Sequence, residues 1–159
     1  MQKVHPVRGL WKNWFKRHKN ENIIESEGVF LKEPLDKRDI ELIEIAYKLV
    51  SERKSPCCNV GSAIKATSGK IYTGVNLKSI HSTPCSMCAE YPAIGLMYKE
   101  GDEEMETVVA VDEDKFIKPP CGGCRELIRQ FGDPYVILQE KDELFKTKIS
   151  QLIPYWQVK

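Results

Sequence analysis

The sequence predicts an α/β domain in which a mixed sheet of about five strands is covered by helices on both faces. Short runs rich in β-branched residues alternate with segments of helical periodicity from residue 36 onward. Two of these runs are separated only by Ser68-Gly69-Lys70, a turn of the hairpin type, so part of the sheet is expected to be antiparallel. Strands that then alternate with helices favour three layers: helix, sheet and helix.

The first predicted element of this domain is a helix that begins at Asp36, a residue type that caps helix N-termini. Its expected apolar face consists of residues at helical spacing, namely Ile40, Ile43, Ala46, Tyr47 and Val50. The two hairpin strands follow, at residues 60–67 and 71–77.

The second half of the domain continues the alternation. A helix is predicted to begin near Cys88, with Pro92 tolerated because it lies in the first turn. A buried strand at 107–111 leads to a third helix, which starts after Gly122-Gly123 and ends at Gly132-Asp133-Pro134. A strand at 135–139 and a short closing helix, ISQLIPYW, complete the prediction.

Residues 1–35 are expected to form an N-terminal extension, and residues 36–159 the α/β domain. The first 20 residues contain six Lys and Arg and no Asp or Glu. Helical spacing places its bulky residues on one face, namely Leu10, Trp11, Trp14, Phe15 and His18. Basic and aromatic residues together can bind nucleic acid. An accessory helix that buries its aromatic face is the favoured interpretation, because amphipathic helices usually do so.

Composition narrows the class of protein. The chain has 159 residues and a formal charge of +1, so as a whole it is not built to neutralise phosphates. No apolar run approaches the roughly 18 residues of a membrane-spanning helix, and no secretory signal is recognisable, so we expect a cytoplasmic protein without a membrane partner. Six cysteines in a reducing compartment are more typical of metal ligands or free thiols than of disulfides.

Two C-x-x-C pairs predict a metal site. One pair is Cys85 and Cys88, and the other is Cys121 and Cys124. Thiolates are good Zn²⁺ ligands, and the two glycines between the second pair permit a tight turn that brings both sulfurs to one ion. A helix N-terminus at this place would favour the thiolate form.

The fourth zinc ligand leaves two interpretations open. If Cys85 binds, four thiolates saturate the ion and the site only stabilises the fold. If a water molecule binds instead, the ion acts as a Lewis acid, and Glu90 is then positioned to act as a general base. The alternative for Glu90 is a carboxylate that merely favours the helix dipole.

A Cys-x-Glu followed by P-C-x-x-C is the signature of zinc deaminases. Together with VGSAIKATSGKIYTGVN, CAE, PCGGCRE and QLIPYW, it makes the sequence resemble the cytidine deaminase family, and in places the blasticidin S deaminases, from about residue 36 to 156. The resemblance implies the three-layer fold of that family. It also implies that Cys88, Cys121 and Cys124 hold Zn²⁺, with water as the fourth ligand. Glu90 would then move protons during hydrolysis, and Cys85 would be a spare thiol.

The same resemblance implies roles for further residues. The backbone around Ser86 and Ala89 would bind the pyrimidine, and Asn76 would contact the substrate. Trp156 would wall the pocket, although ordinary core filling is the alternative for such an aromatic residue. Arg125 would offset thiolate charge, with a solvated helix cation as its alternative. The family also implies a homo-oligomer, most often a tetramer, and a small nucleoside-like substrate.

Two departures from the family pattern affect the expected substrate. Lys78 stands where cytidine deaminases commonly have a ribose-binding glutamate, and Cys58-Asn59 replaces a Phe-Pro. A lysine there could accept a phosphate or carboxylate, or point to solvent. The resulting hypothesis is a zinc-dependent deaminase of a cytosine-type nucleoside or analogue. The alternatives are a deaminase of another substrate, such as a nucleotide or a blasticidin S-like compound, and a non-catalytic four-cysteine zinc protein with a nucleic-acid-binding arm.

Overall fold

The computed structural model describes residues 30–53, 55–82 and 86–153. Its strands, in chain order β1 to β5, are Val60–Ala66, Ile71–Val75, Met105–Asp112, Tyr135–Glu140 and Glu143–Lys148. Its helices, in chain order α1 to α4, are Lys37–Ser51, Glu90–Lys99, Gly122–Arg129 and Ile149–Leu152.

Within these ranges the five strands form one mixed sheet in the order β2-β1-β3-β4-β5. The predicted hairpin is confirmed, because β1 pairs antiparallel with β2 across the turn at Ser68–Lys70. Strand β3 is antiparallel to β1 and parallel to β4. Strand β5 returns antiparallel to β4.

Helices cover both faces of the sheet, so the predicted three layers are confirmed. Alternate residues of each strand point to opposite faces, as in neighbouring Ala63 and Ile64 of β1. Helix α1 packs on the first face. The core on this side consists of Leu42, Ile43, Ala46, Ala63, Val109, Val111, Ile117 and Ile137. Helices α2, α3 and α4 pack on the other, around residues that include Ile64, Tyr72, Ala93, Met97, Val108, Ile128, Val136 and Ile149.

Helix α1 begins as predicted, but its buried face is rotated. The Asp36 side chain accepts from the amide of Asp39, and the Asp39 side chain accepts from the amide of Asp36, which forms a capping box. The buried face runs through Asp39, Leu42, Ile43, Ala46 and Val50. The prediction that Ile40 is buried is wrong, because Asp39 turns inward to bind Lys146 Nζ at 2.6 Å and Ile40 stays 44% exposed.

Strand β5 had no counterpart among the predicted elements. It alternates buried Phe145 and Thr147 with charged residues. The turn that leads into it consists of Lys141 and Asp142, with Lys141 at φ 54°, a conformation for which glycine is the usual signal. Because β5 is rich in charged residues and its turn contains no glycine, the sequence did not indicate this hairpin.

Residues 30–35 lie along the outer edge of β5. Glu33 and Lys146 exchange two backbone hydrogen bonds of 2.8 and 2.9 Å. The ring of Phe30 packs edge-on against Phe145, with centroids 6.1 Å apart. We call this segment the strap. The domain boundary at residue 36 stays a prediction, and the amphipathic helix predicted around Trp11 and Trp14 lies outside the described residues.

Helix α2 confirms the position of Pro92 in a first turn, since it begins at Glu90. Among the described residues, no helix is long and apolar enough to span a bilayer.

Candidate active site

Three cysteines from two helix starts converge on the face of the sheet covered by α2 and α3. Cys88 lies just before α2, Cys121 is the N-cap of α3, and Cys124 lies in the first turn of α3. The Sγ atoms are 3.6 Å apart for Cys88 and Cys121, and 3.5 Å apart for Cys121 and Cys124. All three sulfurs lie within 4.8 Å of one another.

This donor set fits Zn²⁺. Zn–S bonds of about 2.3 Å in a tetrahedron place two sulfurs about 3.8 Å apart, close to the observed separations. Burial raises the pKa of Cys88 and of Cys124, so a metal ion that binds these sulfurs would have to displace their protons. Burial also acts on Cys121, but the amides of Cys124 and Gly123 and the neighbouring thiols outweigh it and lower the pKa of that thiol.

Glu90 is the first residue of α2 and is only 5% exposed. Burial raises the pKa of its carboxyl group, against smaller opposing effects of its own backbone N–H and of the Cys124 thiol. A buried carboxyl group with a raised pKa is a candidate for general acid–base catalysis. The structure places this group beside the three thiols.

Cys88, Cys121 and Glu90 line a cavity of about 230 Å³, whereas Cys124 is fully buried. The residues that line it are Val60, Asn76, Leu77, Lys78, Ser86, Met87, Cys88, Ala89, Glu90, Ala110, Lys118, Pro119 and Cys121. A small molecule in this cavity would contact the thiol cluster and the carboxyl group together.

Three of the predicted substrate-binding residues line this cavity. Asn76 is buried, and its Oδ1 accepts from the amides of Asn59 and Val60 at 2.9 and 2.8 Å, so much of its side chain is already used to hold the start of β1. Ser86 Oγ accepts from the amide of Ser79 at 3.1 Å. Ala89 is buried immediately before Glu90. Their contacts with substrate stay predictions.

Arg125 binds backbone carbonyls in the described structure. Its Nε donates to the oxygen of Pro120 at 2.9 Å, and its Nη1 donates to the oxygen of Leu152 at 3.0 Å. The side chain thus joins the loop before Cys121 to the end of α4. A role in offsetting thiolate charge stays a prediction. Cys85 and Trp156 lie outside the described residues.

Two residues at this site, Lys118 and Tyr91, were not among the site residues predicted from the sequence. Lys118 lines the cavity and pairs with Asp112, with 2.8 Å between Nζ and Oδ2. The hydroxyl of Tyr91 lies against the backbone of Gly123, between the second pair of cysteines. Tyr91 is three residues after Cys88, and this helical spacing is the signal that could have found it.

Convergent thiols and a buried carboxyl group beside a cavity define the site of a metal-dependent hydrolase. The sequence model of the family described as "Cytidine and deoxycytidylate deaminase zinc-binding region" matches residues 36–140. The chain belongs to this family. It is therefore an enzyme that hydrolyses C–N bonds.

Individual relatives agree with this assignment. The chain is 35% identical over 130 residues to a blasticidin-S deaminase of Bacillus cereus, a match that covers 76% of this chain and 92% of the relative. It is 35% identical over 98 residues to a probable cytidine deaminase of Dictyostelium discoideum, covering 60% and 65%. The crystal structure of cytidine deaminase from Mycobacterium leprae superimposes with a TM-score of 0.66 at 26% identity, covering 75% of this chain and 99% of that one.

Proposed function

We propose that this protein is a zinc-dependent hydrolytic deaminase of a cytosine-type nucleoside or analogue. The observation that carries the proposal is the convergence of three cysteine sulfurs within 4.8 Å of one another, because two of these cysteines line one cavity together with buried Glu90. The relatives named cytidine deaminase and blasticidin-S deaminase support a cytosine-type ring as the common part of the substrate.

Cys88, Cys121 and Cys124 are the residues that would hold the metal. When bound there, Zn²⁺ supplies the Lewis acidity that activates water for hydrolysis. The net reaction replaces the exocyclic amine of the ring by a carbonyl oxygen and releases ammonia.

Glu90 carries the protons in this proposal. Its carboxylate takes a proton from the attacking water and gives it to the ring nitrogen next to the carbon under attack. It then helps to protonate the leaving amine. One carboxyl group can perform these steps because they are sequential, and burial raises its pKa in the direction that favours its return to the protonated form. Burial also excludes bulk water from the carboxyl group.

The backbone around Ser86 and Ala89 would orient the ring, since both residues line the cavity next to Cys88. Asn76 keeps one amide hydrogen for a ligand, because Nδ2 has two hydrogens and one donates to Asn59 Oδ1 at 3.2 Å. Trp156 would close the pocket, as the family resemblance implies. The homotetramer, the cytoplasmic location and the charge-offsetting role of Arg125 belong to the same proposal.

The test is ammonia release from zinc-loaded protein with cytidine, deoxycytidine, their monophosphates, cytosine and blasticidin S. Glu90→Gln should keep zinc and fold while losing at least about 100-fold in turnover, the lower range for general acid–base catalysis. Glu126→Gln is the matched control, because Glu126 is exposed on α3 and contributes no group to the site. Undiminished turnover in Glu90→Gln would refute the assignment of this residue.

The ligand set is tested separately by zinc content. Cys85→Ser should retain one zinc per chain, and Cys124→Ser should lose it, if three cysteines bind the metal. Loss of zinc in Cys85→Ser would instead indicate a closed four-cysteine site.

A further inference from the structure

More positively than negatively charged side chains line the cavity. Two lysines, Lys78 and Lys118, line the cavity, whereas Glu90 is the one carboxylate among its described lining residues. The proposed reaction uses Glu90 but neither lysine. A neutral nucleoside offers these two ammonium groups hydrogen-bond acceptors but no negative charge.

Backbone hydrogen bonds fix the main chain at Lys78 and at the preceding residue. The N–H of Lys78 donates to the carbonyl oxygen of Cys57 at 2.8 Å. The preceding residue, Leu77, exchanges two backbone hydrogen bonds of 2.9 and 2.8 Å with Met87. Within the described ranges, no carboxylate oxygen lies within the 4.0 Å of an ion pair from the Lys78 ammonium. Its charge therefore remains available to a ligand in the cavity.

Lys118 is held from both its backbone and its side chain. Its N–H donates to the carbonyl oxygen of Ala110 at 2.8 Å, and its Nζ lies 2.8 Å from Oδ2 of Asp112. Asp112 is itself fixed, because its Oδ1 accepts from the amides of Asp114 and Phe116. An ammonium group has three donors, so Lys118 keeps donors for a second partner.

Electrostatics favour an anion as that partner. Three thiolates with Zn²⁺ carry a net charge of −1, and ionised Glu90 adds another −1, so these groups alone would repel a negatively charged ligand. Lys78 and Lys118 offset this charge on the wall of the same cavity. We propose that Lys78, assisted by Lys118, forms an anion subsite for a phosphate or carboxylate substituent carried by the cytosine-type substrate. The proposal rests on the proposed function for the ring, and adds the class of substituent.

The test compares kcat and KM of zinc-loaded protein for cytidine, its 5′-monophosphate and its 5′-carboxylate. We expect Lys78→Met to lower kcat/KM for the charged substrates about tenfold or more, through KM, and to lower kcat/KM for cytidine much less. Lys78→Arg should restore most of the loss. Lys118→Gln should cause a smaller loss, because this lysine shares its charge with Asp112. The control is Lys70→Met, since Lys70 is exposed in the β1–β2 turn and does not line the cavity.

Preference for the monophosphate or for the carboxylate would identify the substituent. Equal losses for cytidine and for both charged substrates in Lys78→Met, or no loss at all, would overturn the subsite. A second readout is independent of turnover: binding of cytidine 5′-monophosphate to zinc-loaded Glu90→Gln, with and without Lys78→Met, by calorimetry. Binding that depends on Lys78 supports the subsite even if no cytosine compound is deaminated, and that last result would refute the proposed function alone.

Discussion

A Cβ atom placed on Gly74 would lie 2.5 Å from the carbonyl oxygen of Ala89 and 2.6 Å from the amide nitrogen of Ala93. Helix α2 therefore rests directly on the backbone of strand β2, at a distance that only glycine permits. Ala89 stands between Cys88 and Glu90, so this contact sets how deeply the thiol and the carboxyl group enter the site.

Gly74→Ala should destabilise the protein by about 1–3 kcal/mol or more, because the added methyl group meets backbone atoms that cannot rotate away. Zinc content should fall as Cys88 is displaced. Gly95→Ala in the middle of α2 is the matched control, since its Cβ would meet nothing within 4 Å. There alanine should be neutral or stabilising by about 0.5–1 kcal/mol. Urea unfolding measures both, and equal stability of the two variants would contradict the close contact.

Asn76→Ala should destabilise the fold by about 1–3 kcal/mol, because the amides of Asn59 and Val60 lose their acceptor in a partly buried place. Asn59→Ala is the control, since it removes only the acceptor of the 3.2 Å bond from Asn76 Nδ2. Denaturant unfolding of both variants in the zinc-loaded state is the measurement. A smaller loss of stability in Asn76→Ala than in Asn59→Ala would contradict the structural role of Asn76.

The hydrogen bond from Tyr72 Oη to Asp102 predicts how stability depends on pH. This bond, with a second from Ser68, lowers the pKa of Asp102, and the same bond together with burial raises the pKa of Tyr72 to about 12. Ionised Asp102 contributes to the free energy of unfolding. Its contribution is complete above the ordinary carboxyl pKa of about 3.9 and is lost as pH falls through the lowered pKa. The contribution of protonated Tyr72 is complete below about pH 10 and is lost as pH rises from about 10 toward the raised pKa.

Tyr72→Phe should therefore reduce the free energy of unfolding by a constant amount between about pH 4 and pH 10, and by less outside that window. Thermal or urea unfolding of both proteins across the pH range checks this. Tyr98→Phe is the control, because Tyr98 is 60% exposed on α2. A difference between wild type and Tyr72→Phe that does not vary with pH would contradict the coupling to Asp102.

Zinc should stabilise the folded chain, because the three sulfurs converge only when α2 and α3 are in place. Free zinc at 100 times its dissociation constant should raise the free energy of unfolding by about 2.7 kcal/mol. Cys121→Ser should abolish most of this gain. Cys57→Ser should keep it, because Cys57 is not among the converging thiols. Melting temperature against free zinc in a metal buffer is the measurement, and an unchanged gain in Cys121→Ser would remove this residue from the ligand set.

Much of the fold could be predicted because its signals are local. Asp36 caps α1, Ser68–Lys70 turns the hairpin, and the two glycines after Cys121 open α3. Each depends on residues that are neighbours in sequence. Cys88, Cys121, Cys124 and Glu90 could be selected together because they follow the spacing of the zinc deaminase signature, and the structure brings the three sulfurs within 4.8 Å of one another.

The residues that escaped prediction depend on contacts between distant parts of the chain. Asp39 turns inward only because Lys146, 107 residues later, offers a partner. Lys118 reaches the cavity because the loop after β3 folds back, with Ile117 bridged to Val111. Strand β5 is charged on alternate residues and is recognisable only from its pairing with β4. No local pattern carries such information.

The strap has a consequence for how this protein behaves in concentrated solution. Strand β5 is the last strand of the sheet, and an uncovered last strand presents backbone groups that can pair with another molecule. Glu33 occupies the N–H and the carbonyl oxygen of Lys146 and so blunts this edge. A chain trimmed to begin at Asp36 would keep every residue of the proposed zinc site, yet it would expose a template for intermolecular strand addition. Residues 30–35 thus cover part of an edge that would otherwise be open to strand addition, while they lie outside the proposed zinc site.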